Sequence, residues 1–143
     1  MAEYIENAVQ TVEAGQNVLL DSSIPCNKGY VLHRPGSGIF TLRGITNSSC
    51  NQFARYEVTF NGNIAISTGG TVGEISIALA QNGESLQSSR ARVTPQAVNN
   101  YFNVTSTAII TVPRGCCPTI AVENTSGQSI LVQNANLTVS RIA

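Results

Sequence analysis

A period of two dominates the chain. Over residues 54–60, Ala54, Tyr56, Val58 and Phe60 alternate with Arg55, Glu57 and Thr59, the signature of a strand with one buried face. The pattern resumes over 72–79, where Ile75, Ile77 and Leu79 interleave with Glu74, Ser76 and Ala78. Asn82-Gly83 follows. Both residues tolerate positive φ, so the pair predicts a two-residue type I′ hairpin. That turn sets Gln81 opposite Glu84 and Leu79 opposite Leu86, with both leucines on one face. A long run over 101–112 places Phe102, Val104, Ala108, Ile110 and Val112 on one side and Asn103, Thr105, Thr107 and Thr111 on the other. Ile109, between Ala108 and Ile110, predicts burial on both sides at that point. Pro113-Arg114-Gly115 ends the strand, because proline cannot donate to a central ladder. Further strands are expected over 9–12, 17–20, 30–33, 38–43, 119–123 and 128–142, with Arg34-Pro35-Gly36-Ser37 as a turn. The one helical candidate is a turn over 95–100. About ten short antiparallel strands define an all-β sandwich or barrel, and the absence of linker, repeat or low-complexity sequence predicts a single domain over 1–143.

Composition narrows the reading. Charged residues make up 11% of the 143 residues, with 8 positive balancing 8 negative, against about 25% in an ordinary globular chain. The polar surface is therefore mostly Ser, Thr, Asn and Gln. No basic patch points to nucleic acid, and no apolar run approaches the roughly 18 residues of a membrane span. The N-terminus, Met1-Ala2-Glu3-Tyr4-Ile5-Glu6, lacks the basic and apolar regions of a secretory leader. A chain made in the cytoplasm that works on an assembled particle reconciles that start with a Ser/Thr/Asn surface.

Candidate chemistry is sparse. His33 is the sole histidine, which excludes any mechanism or metal site needing two. It has no nucleophile elbow beside it, and it reads as a polar residue next to a turn. Glu57, Glu74, Glu84 and Glu123 are dispersed singly along the chain, so no acid/base dyad is built by spacing. Gly69-Gly70-Thr71-Val72-Gly73 has neither the lysine nor the helix of a phosphate loop and reads as an inter-strand loop. Asp21 is the lone aspartate, so a structural calcium would rest mainly on glutamate and carbonyl oxygens; that alternative stays open and no metal site is assigned. Arg90 and Arg92 are expected on one strand face, paired with Glu74 and Glu84 across the hairpin. No cofactor and no catalytic residue is assigned, and the chain reads as a non-enzyme.

The order of motifs in the second half resembles a known family. A strand over 75–80 enters Asn82-Gly83-Glu84-Ser85-Leu86. Then follow Ile109-Ile110-Thr111-Val112-Pro113-Arg114-Gly115, Thr119-Ile120-Ala121-Val122-Glu123-Asn124 and the closing Ala135-Asn136-Leu137-Thr138-Val139-Ser140-Arg141-Ile142. This order resembles the C-terminal domain of bacterial collagen-like spore-surface proteins, in the C1q/tumour-necrosis-factor jelly-roll superfamily. It is also similar to short prophage-associated proteins of gut clostridia. The resemblance covers 54–143, and 8–43 by strand order. It implies a ten-strand jelly roll packed as a homotrimer through apolar inner-sheet edges. Collagen-like relatives carry a Gly-x-y stalk, whereas strand sequence here starts almost at Met1, which weighs against a stalk-borne filament. The expected function is a structural or binding protein of a phage virion, a capsid decoration or fibre-head protein contacting other virion proteins. The alternative is a cell- or spore-surface adhesion module that binds glycan or host protein.

In a jelly roll, successive loops alternate between the two ends. Counting from the Asn82-Gly83 turn therefore predicts that Cys26, Cys50, Cys116 and Cys117 cluster at one end. Two disulfides, one tetrahedral zinc site, or free buried thiols all remain open. A bridge from Cys26 or Cys50 to the 116–117 step is the expected form under oxidising conditions, and a bond within that step is disfavoured by strain.

Overall fold

Alternation carries the chain further than its apolar residues alone suggest. The computed structural model describes residues 2–23, 30–34, 36–46, 50 and 52–142. Within them run β1 (Ala2–Glu6), β2 (Gln10–Val12), β3 (Ser22–Ser23), β4 (Val31–His33), β5 (Phe40–Leu42), β6 (Phe53–Ile66), β7 (Ile75–Gln81), β8 (Glu84–Ser85), β9 (Ala91–Val93), β10 (Phe102–Pro113), β11 (Thr119–Asn124) and β12 (Ile130–Arg141). There are twelve strands where about ten were expected. β1 and the short β3 are additions, the expected return strand after Asn82-Gly83 is split into β8 and β9 by a 3-10 turn, and the 17–20 segment forms only a single bridge, Asn17 to Glu123. β6 continues past residue 60 through Asn61-Gly62-Asn63. Gly62 is needed there, because an added Cβ would lie 2.9 Å from Cζ of Phe60.

The strands form two antiparallel sheets. One runs β10–β6–β12–β1–β3, with β2 also on β12. The other runs β4–β5–β11–β7–β8, with β9 also on β7. The architecture is a jelly-roll sandwich. β6 and β10 pair without interruption from Phe53↔Pro113 to Ile64↔Phe102. β12 shifts register against β6 between Gln133 and Asn136, where Asn134 takes φ 55°. Tyr4, Phe40, Tyr56, Phe60, Ile77 and Leu137 are among the residues of one apolar core between the sheets. Burial of this kind, at roughly 25 cal/mol per Å² of apolar surface, is the main force holding the sheets together.

The hairpin register is as the Asn-Gly rule requires. Gln81 stands opposite Glu84, Leu86 N–H donates to Leu79 O at 2.8 Å, and Asn82 and Gly83 take φ 52° and 83°. The candidate over 95–100 is a turn at Val98–Asn99, while a 3-10 turn that the sequence pattern did not predict forms at Gln87–Ser89. There the Ser89 hydroxyl accepts Leu79 N–H at 3.0 Å and continues the ladder where β8 stops. β7 is also not half-buried: Ser76, Ala78 and Ala80 are nearly as enclosed as Ile75, Ile77 and Leu79, and Thr125 and Arg90 close over Ser76 on the second face.

Candidate functional site

The broadest surface feature is the outer face of the β10–β6–β12–β1 sheet. Alternation projects Asn103, Thr105, Thr107, Ile109 and Thr111 outward from β10, opposite Asn63, Asn61, Thr59, Glu57 and Arg55 of β6. β12 adds Asn136, Thr138 and Ser140, and β1 adds Ile5 and Glu3. Cross-strand hydrogen bonds knit the face together. The Asn103 amide donates to Asn61 Oδ1 at 2.9 Å and to Asn63 Oδ1 at 3.2 Å. Thr59 and Thr107 share one at 3.1 Å, and Asn136 donates to Glu3 at 2.6 Å. In the middle of this polar band stands Ile109, 60% exposed. The expectation of burial on both sides at Ile109 is therefore not met within one chain, and the outer face is polar and mostly uncharged rather than apolar. β10 is also an edge strand with no charged residue among its twelve, and among the described residues only β6 pairs with it. Long edges without charge are ordinarily covered, because their free N–H and C=O groups template pairing, and the one proline of β10, Pro113, stands at its last position.

Loops meet at one end of the sandwich. Arg114 N–H donates to Gln52 O at 2.8 Å, and Gly44 N–H to Cys116 O at 2.9 Å. Thr119 N–H donates to Asn82 Oδ1 at 2.9 Å. Cys116 and Cys117 line a hollow beside Gln81 and Asn82 at this end as exposed free thiols, and Cys50 is exposed. Cys26 lies outside the described residues. Among the described residues no three His, Cys, Asp or Glu side chains converge on a metal position.

His33 sits in an aromatic stack rather than a catalytic setting. Its ring lies 4.2 Å from Phe40, nearly parallel, and 4.7 Å from Tyr4, edge-on. Its Nε2 lies 2.9 Å from Ser37 O. A carbonyl only accepts, so Nε2 carries the proton. The Gly69–73 loop is tied by Gln128, which accepts Thr71 N–H at 2.9 Å and donates to Thr71 O at 2.7 Å. Asp21 is exposed. Tyr56, buried under the 30 and 43 carbonyls, donates its hydroxyl to Arg43 O at 2.5 Å. Burial pushes its pKa above 10.0, partly offset by the Arg141 charge.

The two arginines share one face, as expected, but take different partners. Arg92, opposite Ser76 in the ladder, meets Glu74 at 3.9 Å, both side chains half exposed. Arg90, just before β9, reaches the same Ser76. Its Nε donates to Ser76 Oγ at 3.2 Å and its Nη2 to Thr125 O at 3.3 Å, so the pairing with Glu84 is not formed. Sequence spacing missed this because the 3-10 turn between Glu84 and Arg90 breaks the period of two.

The fold is that of the C1q-like jelly roll. The globular domain of zebrafish complement 1qA matches with a TM-score of 0.56 and 13% identity, over 96% of this chain and 94% of its own. The C-terminal domain of the sugar-binding protein EclA matches with a TM-score of 0.42 and 17% identity, over 94% of this chain and 80% of that chain. At 13% identity the likeness to the complement 1qA domain establishes architecture alone. No protein-family model and no curated protein matches the sequence. No helix among the described residues is long and apolar enough to cross a membrane.

Proposed function

We propose that the chain is a non-enzymatic structural and binding module that assembles as a homotrimer and serves in a phage virion, as a capsid decoration or fibre-head protein. One observation carries the assembly: the uncharged edge strand β10, with Ile109 60% exposed on a face of Asn and Thr. Ile109 gives such a face an apolar anchor, and the edge gives it unpaired backbone. A chain with 11% charge has little else to keep that edge apart from its own copies. The non-enzymatic reading is supported by His33, whose ring is committed to Phe40, Tyr4 and Ser37.

Native mass spectrometry at micromolar concentration tests the assembly. Three times the 15.1 kDa chain mass is expected, and a clean monomer overturns it. Ile109→Arg should shift the trimer to monomer with the melting temperature of the monomer preserved, since the side chain is exposed. The particle is tested by gene neighbourhood. Capsid, portal and tail genes alongside support the virion, and spore-coat or stalk genes support the surface-adhesion reading instead.

A further inference from the structure

The second sheet carries a polar cleft that assembly through the first leaves open. Its volume is about 290 Å³, and Arg90, Ser85, Gln87, Glu123, Thr125 and Ser126 are among the residues that line it. That is the small end of the range for ligand sites. Its floor is rigid. Ser76 and Thr125 share a hydroxyl hydrogen bond at 2.7 Å. Ser126 Oγ accepts Ser76 N–H at 2.8 Å and donates to Ser76 O at 3.1 Å. Asn124 Oδ1 accepts Ser126 N–H at 2.9 Å. This network fixes the half-buried guanidinium of Arg90 through Nε and Nη2.

What the guanidinium lacks is a counter-charge. Among the described residues no carboxylate lies within 4.0 Å of it, and Glu74 is taken by Arg92. Arginine has five N–H donors in a planar fork. Two are used on the floor, and Arg90 lines the cleft with donors left over. A held cation with donors to spare selects a carboxylate. The walls ask for more than a bare anion. Glu123 lines the cleft with an acceptor and a negative charge that opposes small anions. Ser85 Oγ accepts Gln87 Nε2 at 3.2 Å, which leaves its own proton free to donate. Hydroxyl groups beside the carboxylate satisfy both.

We propose that this cleft binds a hydroxylated carboxylate, the acidic unit of a glycan, with the carboxylate on Arg90 and hydroxyls on Glu123 and Ser85. The inference deepens the binding-module reading but not the assembly, because one chain supplies every residue. Failure of the trimer leaves the cleft whole.

The test is an amide NMR titration of the full chain with glucuronate, galacturonate and N-acetylneuraminate, alongside glucose, acetate and inorganic phosphate. The uronate and sialate arms separate the two sources of the same chemistry. The Ser85, Thr125 and Ser126 amides are expected to shift with at least one of the sugar acids, with an affinity about tenfold or more above glucose and acetate. Arg90→Gln should abolish the shifts, and its spectrum reports whether it folds. Glu123→Gln should narrow the preference for glucuronate over acetate, because it removes both the hydroxyl acceptor and the repulsion of a bare anion. Equal binding of glucose, acetate or phosphate overturns the proposal. So does no response at these amides to any sugar acid, or unchanged affinity in Arg90→Gln. If Arg90→Gln does not fold, an unchanged preference in Glu123→Gln overturns it by itself.

Discussion

The β10–β6–β12–β1 sheet and the β4–β5–β11–β7–β8 sheet face one core, yet they are secured by different means. The first is built around three long strands, β6, β10 and β12, onto which the shorter β1, β2 and β3 add, and β6 pairs with β10 without interruption along Phe102–Pro113. Backbone ladder and alternating apolar side chains suffice for it. The second has strands of two to seven residues, too short to hold by ladder alone. Polar side chains complete it. Ser89 stands in for missing strand backbone beside Leu79. Ser106 of β10 donates to Ser89 O, and Asn124 of β11 reaches Val12 O of β2, both bonds crossing between sheets. The lesson is that short strands need directional side-chain bonds, and the same bonds preorganise a cleft. Long strands leave their outer face free for assembly.

The largest expected effect lies on the apolar side of that contrast. Phe60→Ala removes a fully buried ring of β6 and should cost about 3–5 kcal/mol in denaturant unfolding. Asn124→Ala challenges the polar side. Its amide donates to Val12 O and Gln128 O, both at 2.9 Å, and its oxygen accepts Ser126 N–H. Stranding these groups should cost about 2–4 kcal/mol. A cost below about 1 kcal/mol would remove the distinction drawn between the sheets.

Smaller effects sharpen it. Gly83 takes φ 83° with open space around an added Cβ, so Gly83→Val isolates backbone strain and should cost about 1–3 kcal/mol. An unchanged midpoint would mean that the turn relaxes at no cost. Tyr56 links β6 of the first sheet to the carbonyls of residues 30 and 43. Its folded pKa lies above the ordinary 10.0. The stability it contributes is therefore fully present below pH 10 and declines as pH rises from there through the folded value. Chemical unfolding of the native chain against Tyr56→Phe between pH 8 and 11 should show that extra alkaline loss in the native chain alone. The smallest effect belongs to the Arg92–Glu74 pair. Both side chains are about half exposed, and Arg92→Ala should change stability by less than about 0.5 kcal/mol.

Much of the fold was legible in sequence because much of it is local. β6, β10 and β12 each declare a buried face by alternation, and Asn82-Gly83 sets a register through its own φ angles without help from distant residues. Other features have no local sign. β1, Ala2–Glu6, carries two glutamates and lacks turn markers. It is a strand because it pairs with β12, more than 130 residues away in the chain. β7 reads as half-buried, and its second face is enclosed by residues distant in sequence, Thr125 and Arg90 over Ser76 among them.

The candidate site divides along the same line. Chain composition determined that this protein has a nearly neutral Ser/Thr/Asn/Gln surface, no histidine pair and no dispersed-carboxylate dyad, because those are counts and spacings. Which face is left bare, with Ile109 on it, depended on sheet order. That Arg90, on one face with Arg92, has no carboxylate partner among the described residues and locks onto Ser76 and Thr125 was decided by tertiary structure alone. A side chain's partners across a cleft are set by how strands far apart in sequence are brought together, and residue spacing along one strand holds no record of that.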